Sequence, residues 1–332
     1  MFNYNLISRG YLFIFLFFFY SLGQAQVELK NSEKVYQIGK STSYLRDPSG
    51  ILSFDEILVK DTEFITSTKK ELNFGYTNDF VWLKFTLNNQ SDFDDWVFDV
   101  KANNIGYLDF YYQEENGTWN KSETGTALPF STKQINDTGN AFFLKFGDQS
   151  QKTFYFRCQA KVGLIIPPRV QRYENFNNYS RMKNFYYGSY FGILLVMILY
   201  NLFVYLTLRD KNYLYYVFTI ITTLGLFSSI TGYNYMFFWG DIPVLNIVSA
   251  RVFTSLIVIT TAVFTIHFLQ LKKYSYFLYY WMLLNIVLAI LAAILELLTP
   301  WKALTSNLIS IPIITMISSG IVTWRKGNSL GQ

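Results

Sequence analysis

One cysteine and one histidine stand in a chain of 332 residues. Cys158, in a strand-like run KTFYFRCQA, has no second cysteine to pair with. An internal disulfide, a CxxC redox pair and a cysteine zinc cluster are therefore excluded, and the residue reads as a small buried side chain. His267 alone cannot supply a histidine-based metal site, and together the two offer little from which to build a nucleophile–base pair. Charged residues are scarce, at 15%. They are also unevenly placed: residues 27–183 hold 19 Lys and Arg against 20 Asp and Glu, whereas residues 184–332 hold 8 against 3. The basic excess thus belongs to the apolar half, where it sets orientation, and marks no nucleic-acid surface. No catalytic residue, cofactor or metal is expected, and the chain is not expected to be an enzyme by itself. A glycosidase carboxylate pair in a cleft stays open among the acidic residues of the first half.

Long apolar runs are what the chain has in abundance. Residues 186–208, YYGSYFGILLVMILYNLFVYLTL, carry no charge. As a helix they measure about 34 Å, enough for a hydrocarbon core of about 30 Å. Further runs cover 213–230, 246–271 (interrupted by Arg251), 276–298 and 306–324. Five spans are expected, in a bundle over 185–326. Residues 1–26 read as a secretory signal: Arg9 is basic, 11–22 is apolar, and Gly23-Gln24-Ala25 offers a cleavage site. With residues 27–176 exported, the inner rims carry Arg209, Lys211, Lys272, Lys273, Arg325 and Lys326, and the outer loops only Lys302, as the positive-inside rule requires. Arg181 and Lys183 sit on the wrong side for that rule. The tail 327–332 is short and polar, and the chain is expected to be cut inside a cytoplasmic loop.

Residues 27–176 alternate in short segments. Val81, Leu83, Phe85 and Leu87 form one face, as do Trp96, Phe98 and Val100, then Phe142, Leu144 and Phe146, then Phe154, Phe156 and Cys158. Turn-forming clusters separate them, which predicts an all-β sandwich or jelly roll. Ser53 and Glu56 form a capping box, predicting one short helix over 54–59. Residues 177–184 read as a polar junction between the sandwich and an all-α transmembrane bundle.

The order of several motifs resembles a known bacterial family. These are Tyr44-Leu45-Arg46-Asp47-Pro48-Ser49-Gly50, Asn73-Phe74-Gly75-Tyr76-Thr77 and Val81-Trp82-Leu83-Lys84-Phe85-Thr86-Leu87 in the first half. In the second they are Leu199-Tyr200-Asn201-Leu202, Leu208-Arg209-Asp210 and Tyr213-Leu214-Tyr215-Tyr216. Together they resemble the seven-transmembrane receptors with diverse intracellular signalling modules, carrying the type-2 extracellular domain. The resemblance implies a carbohydrate-binding-like jelly roll outside the bacterial inner membrane, seven spans, and a cytoplasmic module such as a histidine kinase or diguanylate cyclase. The five spans read here and the missing module depart from that pattern.

Candidate site residues each carry two readings. Trp82 and Lys84 alternate with the apolar face; exposed, they would stack on and hydrogen-bond a sugar, whereas under a cover Trp82 is core. Arg157 reads as a ligand contact or a paired strand arginine, Tyr76 as a pocket or packing residue, and Arg46 joins the candidate ligand set beside the turn residue Asp47. Asp92, Asp94 and Asp95 read as a solvated loop. Arg251 and Glu296 lie near the same ends of antiparallel spans and are expected to pair or to face a polar pocket, with Asn201 as a further coupling residue. Gly188 and Gly192 form a GxxxG face suited to a homodimer.

The expected function is a receptor: the exported domain senses a glycan or similar polar ligand, and the bundle relays its state inward. The alternative is a transporter or channel subunit with an accessory carbohydrate-binding domain. That reading calls for mid-membrane polar or broken segments, of which Asn201, Asn285 and Pro312 are the few present.

Overall fold

The computed structural model describes residues 26–103, 105–147, 149–160, 163–298 and 310–325. Residues 1–25, where a signal is expected, residues 299–309 with Lys302, the Glu296 side chain and residues 326–332 lie outside the described residues.

The first half is a β domain. Its larger sheet has the path β4 (Ile65–Thr66), β3 (Ser43–Asp47), β6 (Phe80–Asn89), β11 (Gln151–Gln159), β8 (Tyr107–Gln113) and β9 (Trp119–Thr124), with β1 (Val27–Leu29) pairing in parallel to β6. The second sheet is β10 (Asn140–Phe143), β7 (Trp96–Val100), β13 (Pro168–Arg172) and β2 (Val35–Gln37). A small pair joins β5 (Leu72–Gly75) to β12 (Leu164–Ile166).

The two main sheets close on the alternating residues named above. Val81, Leu83, Phe85, Leu87, Trp96, Phe98, Val100, Phe142, Phe154, Phe156 and Cys158 share one buried cluster. Phe85 stacks on Phe154, and Phe98 and Phe142 on Phe110. Such aromatic pairs favour a sandwich over mere apolar collapse, because their offset and edge geometries add to area burial.

The opposite face of the larger sheet is also covered. Helix α1 (Phe54–Val59) begins at the Ser53 capping box, with Ser53 Oγ accepting from the Glu56 amide and Glu56 accepting from the Ser53 amide. It brings Ile57 and Phe54 down onto Leu45, Trp82, Tyr111 and Tyr155, which form a second apolar cluster. The domain therefore has three layers.

Strand β13 passes directly into helix α2 (Tyr173–Leu208), 36 residues without a break. At about 1.5 Å per residue that is about 54 Å, well beyond a bilayer core of about 30 Å. The expected junction 177–184 is a continuous part of this helix. It is helical because one of its faces has a partner. Tyr173, Phe176 and Lys183 recur at helical spacing, and Phe176 packs with Val97, Ile135 and Ala141 of the β domain.

Arg209, with φ 57°, ends α2 in the left-handed region, and Asp210 caps α3 (Lys211–Thr231). Gly232, with φ 84°, ends α3, and a side chain there would press on Thr138 of the β domain. After α4 (Tyr233–Phe237), Pro243 opens α5 (Pro243–Phe268) at the position where its missing amide costs nothing. Gln270, with φ 50°, separates α5 from the single turn α6 (Leu271–Tyr274). The third run thus ends ahead of 271, and Lys272 and Lys273 sit on a separate turn. Helices α7 (Tyr276–Leu298) and α8 (Ser310–Arg325) complete the described bundle. Among the described residues four helices, α2, α3, α5 and α7, are long and apolar enough to cross a membrane; α8 covers the fifth run from 310 onward and ends one residue past it.

Candidate functional site: the joint between the β domain and the spans

The residues proposed for ligand contact on the sheet face are not open to solvent. Trp82 is fully buried, under Phe54 of α1. The sugar-stacking reading of its ring is thereby corrected: the 54–64 segment occupies the face that a sugar would need. Lys84 is buried with it and gives its ammonium to Asp61 at 2.6 Å. Arg157 lies against the Phe80 ring at 3.9 Å, donates to the Gly50 carbonyl at 2.8 Å and faces Asp109. These three are held by protein partners. Arg46 is half-exposed and pairs with Asp79 at 3.2 Å, while Tyr76 is 80% exposed. Asp47 is buried and accepts from Ser49 Oγ and from the amides of Gly50 and Leu52, which closes the turn that positions α1. Asp92 bonds Asn31, and Asp95 faces Arg172. The Cys158 thiol is buried and pushed up by desolvation, so it stays protonated.

What the chain does bring together lies at one end of the sandwich, where the segment 125–140 meets the 231–246 connection between α3 and α5. Tyr235, 2% exposed, donates its hydroxyl toward the carbonyls of Leu128 (2.6 Å) and Gly125 (3.0 Å). The Phe130 amide donates to the Gly240 carbonyl at 2.8 Å, and the Phe130 ring meets Tyr235 edge-on. Asn246 donates to the Thr126 carbonyl and Asn103 to the Thr231 carbonyl. Tyr233 donates to Asn184 of α2 at 2.6 Å. These hydrogen bonds tie the two sides of the boundary together, with the buried Tyr235 hydroxyl satisfied across it, which fixes one docking geometry.

Charge completes the clasp. Lys183, eleven residues into α2, places its ammonium 2.7 and 2.9 Å from the two carboxylate oxygens of Asp137 and 3.0 Å from Thr138 Oγ1. Asp137 is 5% exposed and also accepts from the Gly139 amide at 2.7 Å. Burial alone would raise its pKa; the Lys183 charge and the hydrogen bonds outweigh that and hold it below the usual carboxylate range. Beside it, Lys133 gives three hydrogen bonds to the carbonyls of Asp137, Thr138 and Gly139 at 3.0, 3.1 and 2.6 Å. Burial and the neighbouring Lys183 lower Lys133 from 10.5 to about 7 against the opposing pull of Asp137.

Next to the clasp lies an open cleft of about 600 Å³. The β domain contributes Lys101, Asn103 and Thr126 to it, and α3 and α5 contribute Ile230, Ile247 and Arg251. Arg251 lines this cleft beside the β domain; the side chain of Glu296, its expected partner in a pair or a shared pocket, lies outside the described residues. Asn201 spends its amide on the Met197 carbonyl of its own helix. A polar cross-link between spans is instead made by Thr222 of α3 with Thr260 of α5, at 3.0 Å.

Lys133, Asp137, Tyr235 and Asn246 were not singled out by the sequence. Two signals pointed there: the aromatic-rich, charge-poor 231–245 loop, and Lys183 on the wrong side of the positive-inside pattern.

Two family models match this chain. Residues 39–172 match "7TMR-DISM extracellular 2", and residues 183–331 match "7TM diverse intracellular signalling". No curated protein matches it.

Proposed function

Because the chain belongs to the seven-transmembrane receptors with diverse intracellular signalling modules, we propose that it senses a ligand through its β domain and relays that state inward along α2. One observation carries this reading: the helix that crosses the membrane is the same helix that packs on the second sheet, pinned to it at Phe176 and Lys183. A change in the β domain then moves the span as a rigid body, with no flexible link to absorb it. Relay also requires the ligand to favour one arrangement of the joint over another.

The β domain lies on the exported, periplasmic side in this reading, and the basic rims at Arg209, Lys211, Lys272 and Lys273 face the cytoplasm and its signalling module. The ligand class is a glycan or similar small polar molecule. Exposed Tyr76 and the solvent-accessible Arg46–Asp79 pair supply the aromatic face and the charges for it. A second copy belongs to the same reading: among the described residues a Cβ at Gly188 or Gly192 would have no neighbour within 4 Å, and another α2 has room to approach closely there.

The experiment is spin labelling at Lys211 and Lys273 of the full chain in nanodiscs. Breaking the clasp with K183M should shift the distance distribution between those labels. An unchanged distribution, with the K183M clasp shown to be open by amide exchange, would refute the relay. Binding of the full chain to a glycan array, reduced in Y76A and R46A, tests the ligand class separately.

A further inference from the structure

We propose that the cleft beside the clasp binds a phosphate-bearing amphiphile. Its anionic group sits between Lys101 and Arg251, and its apolar part lies along Ile230, Ile247 and Ala250. The inference stands apart from the relay and would hold if the relay failed.

The charge pattern comes first. Among the described residues that line the cleft there are two cations and no carboxylate. Neither cation makes an ion pair among the described residues. Asp99 senses Lys101, but its carboxylate is already committed to Arg169 and Gln171. Lys101 is held over the Tyr179 ring of α2, 3.9 Å from its centre, so its ammonium is positioned with no carboxylate in ion-pair contact among the described residues. Arg251 lies eight residues into α5, about 12 Å along the helix. A guanidinium at that depth is costly unless an anion or water reaches it.

The shape and the walls select the rest of the ligand. A volume of about 600 Å³ is in the range of small-molecule sites, about 300–1,000 Å³. One wall is the β domain, with Asn103, Thr126 and backbone; the other is the apolar flank of two spans. Ser229 and Ile230 belong to the last turn of α3, which ends at Thr231, so the cleft opens where a span leaves hydrocarbon for headgroups. A polar anion joined to an apolar body matches both walls. Basic pockets between spans recognise phosphate headgroups by the same means. The phosphate can come from a lipid of the adjoining leaflet or from a soluble phosphate ester.

Two arms separate these sources. In the first, the full chain in nanodiscs of phosphatidylcholine with about one-tenth phosphatidylglycerol is released and weighed intact, and retained phosphatidylglycerol is counted. In the second, the chain in pure phosphatidylcholine is titrated with butyl phosphate, a soluble ester with a short apolar body, followed by phosphorus NMR. Removing each cation should weaken binding about ten-fold, so K101Q/R251Q should lose about a hundred-fold. The charge-keeping variant K101R/R251K should retain binding, which separates loss of charge from loss of fold. Retention of phosphatidylglycerol with this dependence assigns the lipid; binding of butyl phosphate with it assigns the soluble ester. Equal binding by the wild type and K101Q/R251Q in both arms would overturn the proposal, as would equal loss in K101Q/R251Q and K101R/R251K.

Discussion

Replacing Lys183 with methionine keeps the length of the side chain and removes its charge. Asp137 then keeps its carboxylate at 5% exposure with the Gly139 amide as its remaining close donor. Breaking a buried ion pair from one side costs about 3–5 kcal/mol. Lys183 is itself 16% exposed, so water reaches the site and the lower figure, about 3 kcal/mol, applies. That corresponds to about a hundred-fold in an opening equilibrium. The loss should fall on docking and spare the fold, because the sandwich core lies in a separate cluster. Hydrogen exchange reads this directly. The Phe130 amide bonds the Gly240 carbonyl across the boundary, while the Phe85 amide belongs to the β6 ladder. In K183M the Phe130 amide should exchange about a hundred-fold faster, with Phe85 unchanged. The double variant D137N/K183M should recover part of the protection, since no charge is left stranded. A Phe130 amide within about three-fold of wild type would refute the reasoning and reduce the pair to a screened surface contact.

Three further outcomes follow from the same geometry. Lys133 in the folded chain releases its proton near pH 7, whereas unfolded it holds it to 10.5; unfolding therefore takes up a proton between those values, and the melting temperature should rise with pH across that window, a rise that K133M flattens. Trp82→Ala should cost about 3–5 kcal/mol in chemical denaturation. Trp82→Phe should cost clearly less, because the buried indole N–H has no partner to lose among the described residues. Gly225→Leu should destabilise the bundle and leave the β domain intact by circular dichroism, since any side chain on that face of α3 runs into the Phe253 ring of α5.

The sandwich was legible because its core alternates strictly. Val81 to Leu87 and Phe154 to Cys158 announce both strand and face within a few residues, and the Ser53–Glu56 box announces α1 just as locally. What covers the other face was not legible. Trp82 and Lys84 read either as an exposed ligand face or as covered, and only the return of Phe54, Ile57 and Asp61 from elsewhere in the chain decides for the cover. The joint was hidden for the same reason. Lys183 and Asp137 are 46 residues apart, and Tyr235 meets Leu128 across 107. From sequence, Lys183 shows only as a charge on the unexpected side, and residues 177–184, rich in Asn and Ser, read as a polar junction until Phe176 is seen to have a partner.

The unbroken course of α2 puts the chain under a rule of phase. Each residue added between Phe176 and Tyr186 would turn everything below it by about 100° relative to the sheet above. One added residue would swing Tyr187 and Tyr190 away from Tyr233 and Phe227, whereas seven would bring them back nearly in line, only farther down. Insertions in this stretch are therefore graded by angle before they are graded by length.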